Sequence, residues 1–407
     1  MASLRSLLLG ILFISFLTFV ALFGRLPVLR KTPIGLLHHV VWIHAPRFLV
    51  LLDSAVTGGR CGRYARRTKN YLFHENHPLV LIFFVLLLSA CETLFVPAAW
   101  SRLALRDKIA APIVIFVPYF FLYKCVVSSS MITRENHSLY MQMYPYDKII
   151  FHPRRMCPTC QFLKPARSKH CSLCKGCVAR HDHHCIWLRT CVGRNNYRFF
   201  LGLLLSVSIL LVYGACLGYD ILYRRLQEEK GGSTPWSKDL EWLTYLELLG
   251  YAISDDLRIG TVAFFAMLTA PLSSAMLLYH IYLIWAGMTT NESAKWGDWR
   301  DDISNGIVYA AKASQIYPPR EDDYLAEPCT SWPVTGDQTL VFTEGGEPPK
   351  VGSLLTMDRM SIIQPDNAED AASDPRWVRI KSMKEIKNIY DLGFWSNLRD
   401  SLGLLKV

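Results

Sequence analysis

Few charged residues interrupt this sequence. Asp, Glu, Lys and Arg together supply 19% of its 407 residues, hydrophobic residues supply 51%, and the mean hydropathy is +0.19. A chain of this length has room for two or three soluble domains. The composition instead favours a membrane protein and argues against a purely soluble one.

Five apolar stretches are each near the ~20 residues that a helix needs to cross ~30 Å of hydrocarbon. They lie at about 4–24, 79–99, 109–128, 199–222 and 259–287. The first is longer than the apolar run of a signal peptide and has no clear cleavage site before Arg25, so we expect a retained anchor. The expected fold is an α-helical polytopic membrane protein with about five transmembrane helices and a small cytosolic zinc-binding domain.

The distribution of charge predicts the orientation. Segments 25–78 and 129–198 are strongly basic and are expected in the cytosol, whereas the acidic segment 223–258 is expected in the lumen. The short basic connection at 100–108 disagrees with this scheme. The net charge of +10 follows from the basic loops, so we expect no nucleic-acid partner. The predicted domains are three transmembrane helices in 1–128 with a basic cytosolic loop at 25–78, a cysteine-rich zinc domain at 129–198, two transmembrane helices in 199–288, and a partly disordered cytosolic tail at 289–407.

Cysteine is sparse except in segment 129–198, which holds seven of the twelve, and no internal repeat is visible. Two C-x-x-C pairs indicate zinc, because two thiolates of one tight turn reach the same tetrahedral ion at ~2.3 Å. The candidate donors are Cys157, Cys160, Cys171, Cys174, Cys177, Cys185, Cys191, His170, His181, His183 and His184. Two closed four-coordinate sites would leave one cysteine and two histidines over. Spacing alone does not say which.

The stretch HDHHCIW at 181–187 favours Cys185 as the spared thiol. Cys185 has an adjacent histidine pair and a carboxylate, and an imidazole that accepts the thiol proton makes a cysteine nucleophilic. Asp182 would orient that imidazole and set its tautomer. The alternative is that the stretch supplies only further zinc ligands. A zinc hydrolase is not expected, because the H-E-x-x-H motif is absent.

The cysteine-rich segment resembles the DHHC-type protein S-acyltransferases, whose pattern is roughly C-x2-C-x3-K-P-x-R-x-x-H-C-x2-C-x2-C-V-x3-D-H-H-C-P-W-x-x-N-C-V-G. The matching residues are Cys157, Cys160, Lys164, Pro165, Arg167, His170, Cys171, Cys174, Cys177, Val178, Asp182, His183, His184, Cys185, Trp187, Cys191, Val192 and Gly193. Within the family the sequence is most similar to the fungal spore-wall-formation branch. Ile186 stands where most members have proline, and Arg189-Thr190 where they often have Asn-Asn.

The resemblance implies two interleaved structural zinc sites and a free nucleophile. One site would be held by Cys157, Cys160, His170 and Cys177, and the other by Cys171, Cys174, His184 and Cys191. Cys185 would be the nucleophile, His183 its base and Asp182 the residue that orients the base. His181 would be a bystander.

Two tail motifs extend the resemblance. Thr289-Thr290-Asn291-Glu292 is similar to the family's T-T-x-E motif, which implies that Thr290 steadies Asp182, and Glu292 and Asn305 are also expected to support the catalytic residues. Asn305 and Tyr309 resemble the N-x-x-x-aromatic element that packs the tail against the catalytic domain.

The implied reaction is a ping-pong transfer at the cytosolic edge of the membrane. Cys185 would take a palmitoyl group from palmitoyl-CoA as a thioester and pass it to a juxtamembrane cysteine of a membrane-associated protein. Basic residues beside the cysteine pairs would contact the CoA phosphates, namely Lys164, Arg167 and Lys169. Apolar residues at helical spacing would line the acyl cavity, namely Phe200, Leu203, Val207 and Leu210.

We expect the protein in the endoplasmic reticulum membrane, with the Golgi membrane as the alternative. A catalytically inactive, membrane-anchored zinc adaptor is the alternative function of a different class. A zinc-finger ubiquitin ligase ranks third, because the ligand spacing fits it poorly.

Overall fold

The computed structural model describes residues 16–17, 20, 32–75, 77–229, 242–316, 327–343, 345–351, 353–356, 361–363 and 372–404. The chain divides into two compact units between His77 and Pro78. Among the described residues, five helical segments are long and apolar enough to cross a membrane. They are Pro33–Thr57, Leu79–Arg102, Leu105–Val127, Tyr197–Glu228 and Leu257–Trp285. The predicted class, a helical membrane protein with about five spans, is confirmed.

The first unit is helical where the sequence predicted a loop. It contains α1 (Pro33–His39), a π-helical turn (Val40–His44), α2 (Ala45–Thr57) and α3 (Arg60–His74). Gly58 and Gly59, with φ of 65° and 77°, turn the chain between α2 and α3. The prediction of a loop at 25–78 was therefore wrong for 33–74, because most of its basic residues lie in α3 and their number concealed the apolar α2. The predicted span 4–24 lies outside the described residues except at positions 16, 17 and 20.

The second unit begins with two membrane helices that the sequence assigned to a separate domain. Its long helices are α4 (Leu79–Ala99), which continues as a 3-10 turn (Trp100–Arg102), α5 (Leu105–Val127), α7 (Tyr197–Glu229), α8 (Trp242–Asp255) and α9 (Leu257–Trp285), and the short α6 (His137–Met141) follows α5. A Cβ added to Gly202 would lie 2.5 Å from the Phe121 ring, and one added to Gly218 would lie 2.4 Å from Ala263. These two glycines allow α7 to pack closely on α5 and on α9.

The polar part of the second unit contains two small hairpins and a five-stranded sheet. The hairpins pair β1 (Lys169–Cys171) with β2 (Gly176–Val178), and β3 (His183–Cys185) with β4 (Thr190–Val192). After α9 come α10 (Thr290–Ser304), β5 (Val308–Lys312), α11 (Ala313–Ile316), β6 (Gln338–Phe342), β7 (Leu354–Thr356), β8 (Ser361–Ile363), β9 (Val378–Arg379), a 3-10 turn (Met383–Glu385) and α12 (Phe394–Ser401). The strand order is β7-β8-β6-β5-β9.

The described part of the tail packs against the cysteine-rich domain. Its sheet and α10 share a buried apolar cluster with segment 141–151, which includes Tyr144, Trp299, Val308 and Tyr390. In the tail 289–407, which was predicted to be partly disordered, the described residues form these helices and strands, and aromatic residues scattered among polar ones in the sequence converge in the cluster. This cluster attaches the tail to the cysteine-rich domain.

Candidate active site

The cysteine-rich domain repeats one hairpin-like turn three times, first closed by the isolated bridge Met156–Leu163 and then as the two hairpins β1-β2 and β3-β4; the three are here called the first, second and third hairpins. Equivalent backbone pairs join Met156 to Leu163, His170 to Cys177, and His184 to Cys191, so that successive hairpins are spaced by 14 positions. The residue after the turn has a positive φ each time, at Gln161, Lys175 and Arg189. A glycine at each of these positions would have marked the repeat in the sequence, because a positive φ favours glycine. The three residues differ and none is glycine, so the sequence shows no repeat at the turns.

Two groups of four side chains each converge as zinc ligands do. They are Cys157, Cys160, His170 and Cys177, and then Cys171, Cys174, His184 and Cys191. In the second group, the Sγ atoms of the three cysteines lie 3.4 to 3.6 Å from the Nδ1 atom of His184. A tetrahedral ion with Zn–S of ~2.3 Å and Zn–N of ~2.0 Å would separate its sulfur and nitrogen ligands by roughly 3.6 Å. Both groups could therefore hold zinc.

Each four-residue group bridges two successive hairpins. The C-x-x-C pair of one hairpin joins the histidine and cysteine strand pair of the next one. The first hairpin follows no C-x-x-C pair and has Met156 and Leu163 at the strand positions. The third hairpin has Leu188 in place of the second cysteine, and this side chain is 1% exposed. Cys185 therefore occupies the position that Cys157 and Cys171 have in the preceding turns, but it lacks a second cysteine three residues later, and its thiol lies outside both ligand groups.

Strand alternation separates the metal ligand from the reactive residues of β3. Successive side chains of a strand point to opposite faces. His184 joins the second ligand group, whereas His183 and Cys185 lie on the other face. The position of Asp182 before this strand is held by its N–H, which donates to the Val192 carbonyl at 2.9 Å.

His183, Asp182 and Thr290 form one hydrogen-bonded chain. The Nδ1 atom of His183 lies 2.7 Å from Oδ2 of Asp182. Thr290 donates its hydroxyl to Oδ2 at 2.8 Å and its backbone N–H to Oδ1 at 2.9 Å. The first residue of α10 thus fixes both carboxylate oxygens of the buried Asp182, and Asp182 in turn fixes the imidazole of His183.

The electrostatics of this chain favour an imidazolium beside the thiol. Burial would lower the pKa of His183, but its hydrogen bonds with Asp182 and Cys185 and their charges raise it to about 9. Burial would raise the pKa of Asp182, yet the hydrogen bond and charge of His183 keep it below its ordinary value. An imidazolium next to a cysteine stabilises the thiolate, which is the nucleophilic form.

A buried charge network anchors the tail beside this site. Arg167 donates to both oxygens of Glu292 at 2.7 Å and is 1% exposed. Glu292 also closes a capping box with Thr289 at the start of α10. The Arg167 guanidinium cannot reach a CoA phosphate from this position, so the predicted contact was wrong for Arg167. In this chain the Arg167 guanidinium pairs with the Glu292 carboxylate instead.

Asp400 of α12 is the second anion of the network. Its carboxylate lies within 3.2 to 3.6 Å of the guanidinium groups of Arg167, Arg180 and Arg194, and it accepts the Tyr144 hydroxyl at 2.7 Å. Burial alone would raise the pKa of Asp400, but the three positive charges lower it. α12 is thus bonded to the loops on both sides of the second ligand group.

An apolar cavity of about 750 Å³ reaches Cys185. The four residues predicted at helical spacing, Phe200, Leu203, Val207 and Leu210, all line it, together with His183 and Trp187. Its other walls come from α4, α5 and α9. The Cys185 thiol and the His183 imidazole therefore both line one apolar cavity between the membrane helices.

Comparisons with known proteins decide the family. A family model described as DHHC palmitoyltransferase matches residues 150–297. Palmitoyltransferase swf1 of Emericella nidulans is 51% identical over 402 residues, which cover 98% of this chain and 96% of that protein. The Neurospora crassa SWF1 is 42% identical over 96% of this chain and 90% of its own, and the Schizosaccharomyces pombe swf1 is 31% identical over 94% and 92%. The chain belongs to the DHHC palmitoyltransferase family.

Membership in the DHHC palmitoyltransferase family identifies the chain as a protein-cysteine S-palmitoyltransferase. The resemblance read from the cysteine-rich segment, including the likeness to the fungal branch, is confirmed. Ile186, where most DHHC members have proline, is 55% exposed at the turn after Cys185. An exposed turn position tolerates the change without disturbing the pairing of β3 with β4.

Some residues of this DHHC palmitoyltransferase lie where the sequence did not predict. Asn305, which was expected to support the catalytic residues, is the exposed C-cap of α10, and its backbone N–H donates to the Asp301 carbonyl. Tyr309 packs with Val341 and Trp377 on one face of the sheet, and the other face, with Val308, contacts the catalytic domain. His181 lies outside both ligand groups, as expected of a bystander.

Sequence reasoning missed Asp400, Tyr390 and His280. The Asp400 carboxylate pairs with the Arg167 guanidinium, and the Tyr390 ring lies beneath that guanidinium. His280 lies on α9 beside His183. The first two are far from the motif in sequence, and the third is hidden in an apolar helix, where a single histidine gives no pattern.

Proposed function

We propose that Cys185 transfers palmitoyl groups from palmitoyl-CoA to cysteines of membrane-associated proteins through a thioester on its own sulfur. The observation that supports this most is the position of Cys185, outside both ligand groups, beside His183 and open to the apolar cavity. Two structural zinc ions would hold the hairpins and leave no coordination position for substrate, because each group already supplies four donors.

The two half-reactions exchange one thioester for another. In the first, the Cys185 thiolate attacks the acyl carbonyl, the bond to the CoA sulfur breaks, and the leaving thiolate takes the His183 proton. In the second, His183 removes the proton of the substrate thiol, whose sulfur attacks the acyl-Cys185 carbonyl and releases the Cys185 thiolate. Asp182 keeps the imidazole in one orientation throughout.

The cavity supplies the binding energy for a long acyl chain. Each methylene buried contributes ~0.8 kcal/mol. Phe200, Leu203, Val207 and Leu210 line the space that Cys185 faces, which fits a chain attached at that sulfur. Palmitoyl is therefore favoured over short acyl groups.

Exposed basic residues near the ligand groups would receive the CoA phosphates. Lys169 is exposed and Lys164 half-buried, so their ammonium groups are available where that of Arg167 is not. Lys295 on α10 is half-buried, and burial lowers its pKa although the carboxylates of Glu292 and Asp147 raise it, so we do not count it among the phosphate contacts.

We further propose that the protein acts in the endoplasmic reticulum membrane, or in the Golgi membrane, with the active site in the cytosol. The basic segment 129–198 supports the cytosolic side. Its substrates would carry cytosolic cysteines close to a membrane span, because Cys185 opens into a cavity between membrane helices.

Labelling with palmitoyl-CoA tests the proposal. Purified, zinc-loaded protein should carry a hydroxylamine-sensitive label that is absent from Cys185→Ser. Cys329→Ser is the matched control, because this exposed cysteine lies outside the ligand groups and the cavity lining. An intact, zinc-loaded wild type that acquires no label would support the inactive adaptor instead.

A further inference from the structure

A second imidazole lies behind the Asp182–His183 pair. His280 of α9 is 0% exposed, and its ring centroid is 6.0 Å from that of His183. One ring nitrogen of each histidine and one oxygen of Asp182 lie within 4.8 Å of one another. His280 is absent from the cavity lining, so an acyl chain in that space does not touch it.

The two nitrogens of His280 have different surroundings. Nδ1 lies 3.0 Å from the hydroxyl of Tyr197, which can donate to it. Nε2 then carries the proton, and it has no hydrogen-bond partner among the described residues. A buried N–H without a partner costs about 1–3 kcal/mol, so its retention in an apolar helix needs a reason.

Among the described residues, the carboxylate of Asp182 has one unused acceptor position for this donor. Its Oδ2 accepts two hydrogen bonds, from His183 and the Thr290 hydroxyl, whereas Oδ1 accepts one, from the Thr290 N–H. A carboxylate oxygen accepts two such bonds. A ring nitrogen of His280 lies within 4.8 Å of one Asp182 oxygen, and Oδ1 is the oxygen with remaining capacity to accept the Nε2–H.

We propose that His280 is a positioning residue for acyl transfer, which holds Asp182 from the membrane side while Thr290 holds it from the tail. This inference rests on the proposed role of His183 and Asp182. The Tyr197 hydroxyl sets the tautomer of His280, and the ring of Phe200, whose centroid is 5.0 Å away, confines it. Without His280 the Asp182–His183 pair keeps its partners but gains freedom to rotate away from Cys185.

Two substitutions separate this role from packing. The amide nitrogen of Gln can replace Nε2 of histidine, whereas that of Asn replaces Nδ1. His280→Gln should therefore retain most of the autoacylation rate, and His280→Asn and His280→Phe should lose roughly tenfold or more, the usual consequence of a misplaced catalytic group. The loss should fall on kcat, with KM for palmitoyl-CoA unchanged, because His280 does not line the cavity.

Zinc content, melting temperature and steady-state labelling are measured for all variants beside wild type and Cys185→Ser. Equal rates for His280→Gln and His280→Asn, or a wild-type rate in His280→Phe, would overturn the inference while the labelled wild type preserves the proposed function. An unlabelled wild type would instead remove the proposed function itself. Should the His280 variants not fold, Tyr197→Phe decides: a reduced kcat supports the role, and an unchanged one refutes it.

Discussion

Replacing Thr290 by valine tests how strongly the tail supports the catalytic aspartate. The change removes the hydroxyl that donates to Asp182 at 2.8 Å and keeps the backbone N–H that donates at 2.9 Å. A hydrogen bond to a charged group contributes about 1.5–3 kcal/mol, and 1.4 kcal/mol corresponds to a factor of ten. If the bond orients His183 in the transition state, autoacylation should slow by about 10- to 150-fold.

The assay is the initial rate of hydroxylamine-sensitive labelling by palmitoyl-CoA, with zinc content and melting temperature measured in parallel. Thr290→Ser keeps the hydroxyl and should stay within about threefold of wild type. Thr289→Val is the matched control, because its hydroxyl bonds the His181 carbonyl and the Glu292 N–H but not Asp182. It should lose about 1 kcal/mol of stability, as a removed N-cap does, with a smaller effect on rate. A Thr290→Val rate within twofold of wild type would refute the reasoning.

Three further predictions follow from the hairpins and the buried charges. Leu188→Cys restores a C-x-x-C pair with Cys185, so added zinc should inhibit its autoacylation reversibly, which a chelator titration checks. The control is Leu188→Ser, because serine has nearly the shape of cysteine but supplies no thiolate ligand. This variant should show no inhibition by zinc. Asp400→Asn leaves the buried guanidinium groups of Arg180 and Arg194 without their anion, although Arg167 keeps Glu292, and should cost about 3–5 kcal/mol, measured by thermal unfolding. Asp220→Asn, which breaks an exposed pair, should cost under about 0.5 kcal/mol. Burial and Arg155 lower the pKa of His152 to about 4 from an ordinary 6.5, so its neutral form contributes stability above pH 6.5 that is lost as pH falls toward 4. Wild type should lose more stability between pH 7 and 5 than His152→Gln, and equal losses would contradict this origin.

Much of the active site could be predicted from the local spacing of its residues. The zinc donors and Cys185 all lie within one short segment, where each C-x-x-C pair has little freedom to place its two sulfurs. The apolar runs likewise indicated most membrane helices, because the bilayer demands ~20 apolar residues for each. Segment 25–78 was predicted to be a loop from its total charge rather than from the pattern of its apolar residues. That prediction therefore missed helices α1 to α3.

The sequence by itself determined the chemistry available: which thiols can bind metal, which motif the family shares, and four of the five described helical segments that are apolar enough to cross a membrane. Only the tertiary structure decided which partner each buried charge has. It paired Arg167 with Glu292 rather than with CoA, brought Asp400 to three arginines, and placed His280 behind Asp182. Such contacts join segments about a hundred residues or more apart, and they exist because helix packing and the buried cluster of the tail bring those segments together, a result that local spacing does not encode.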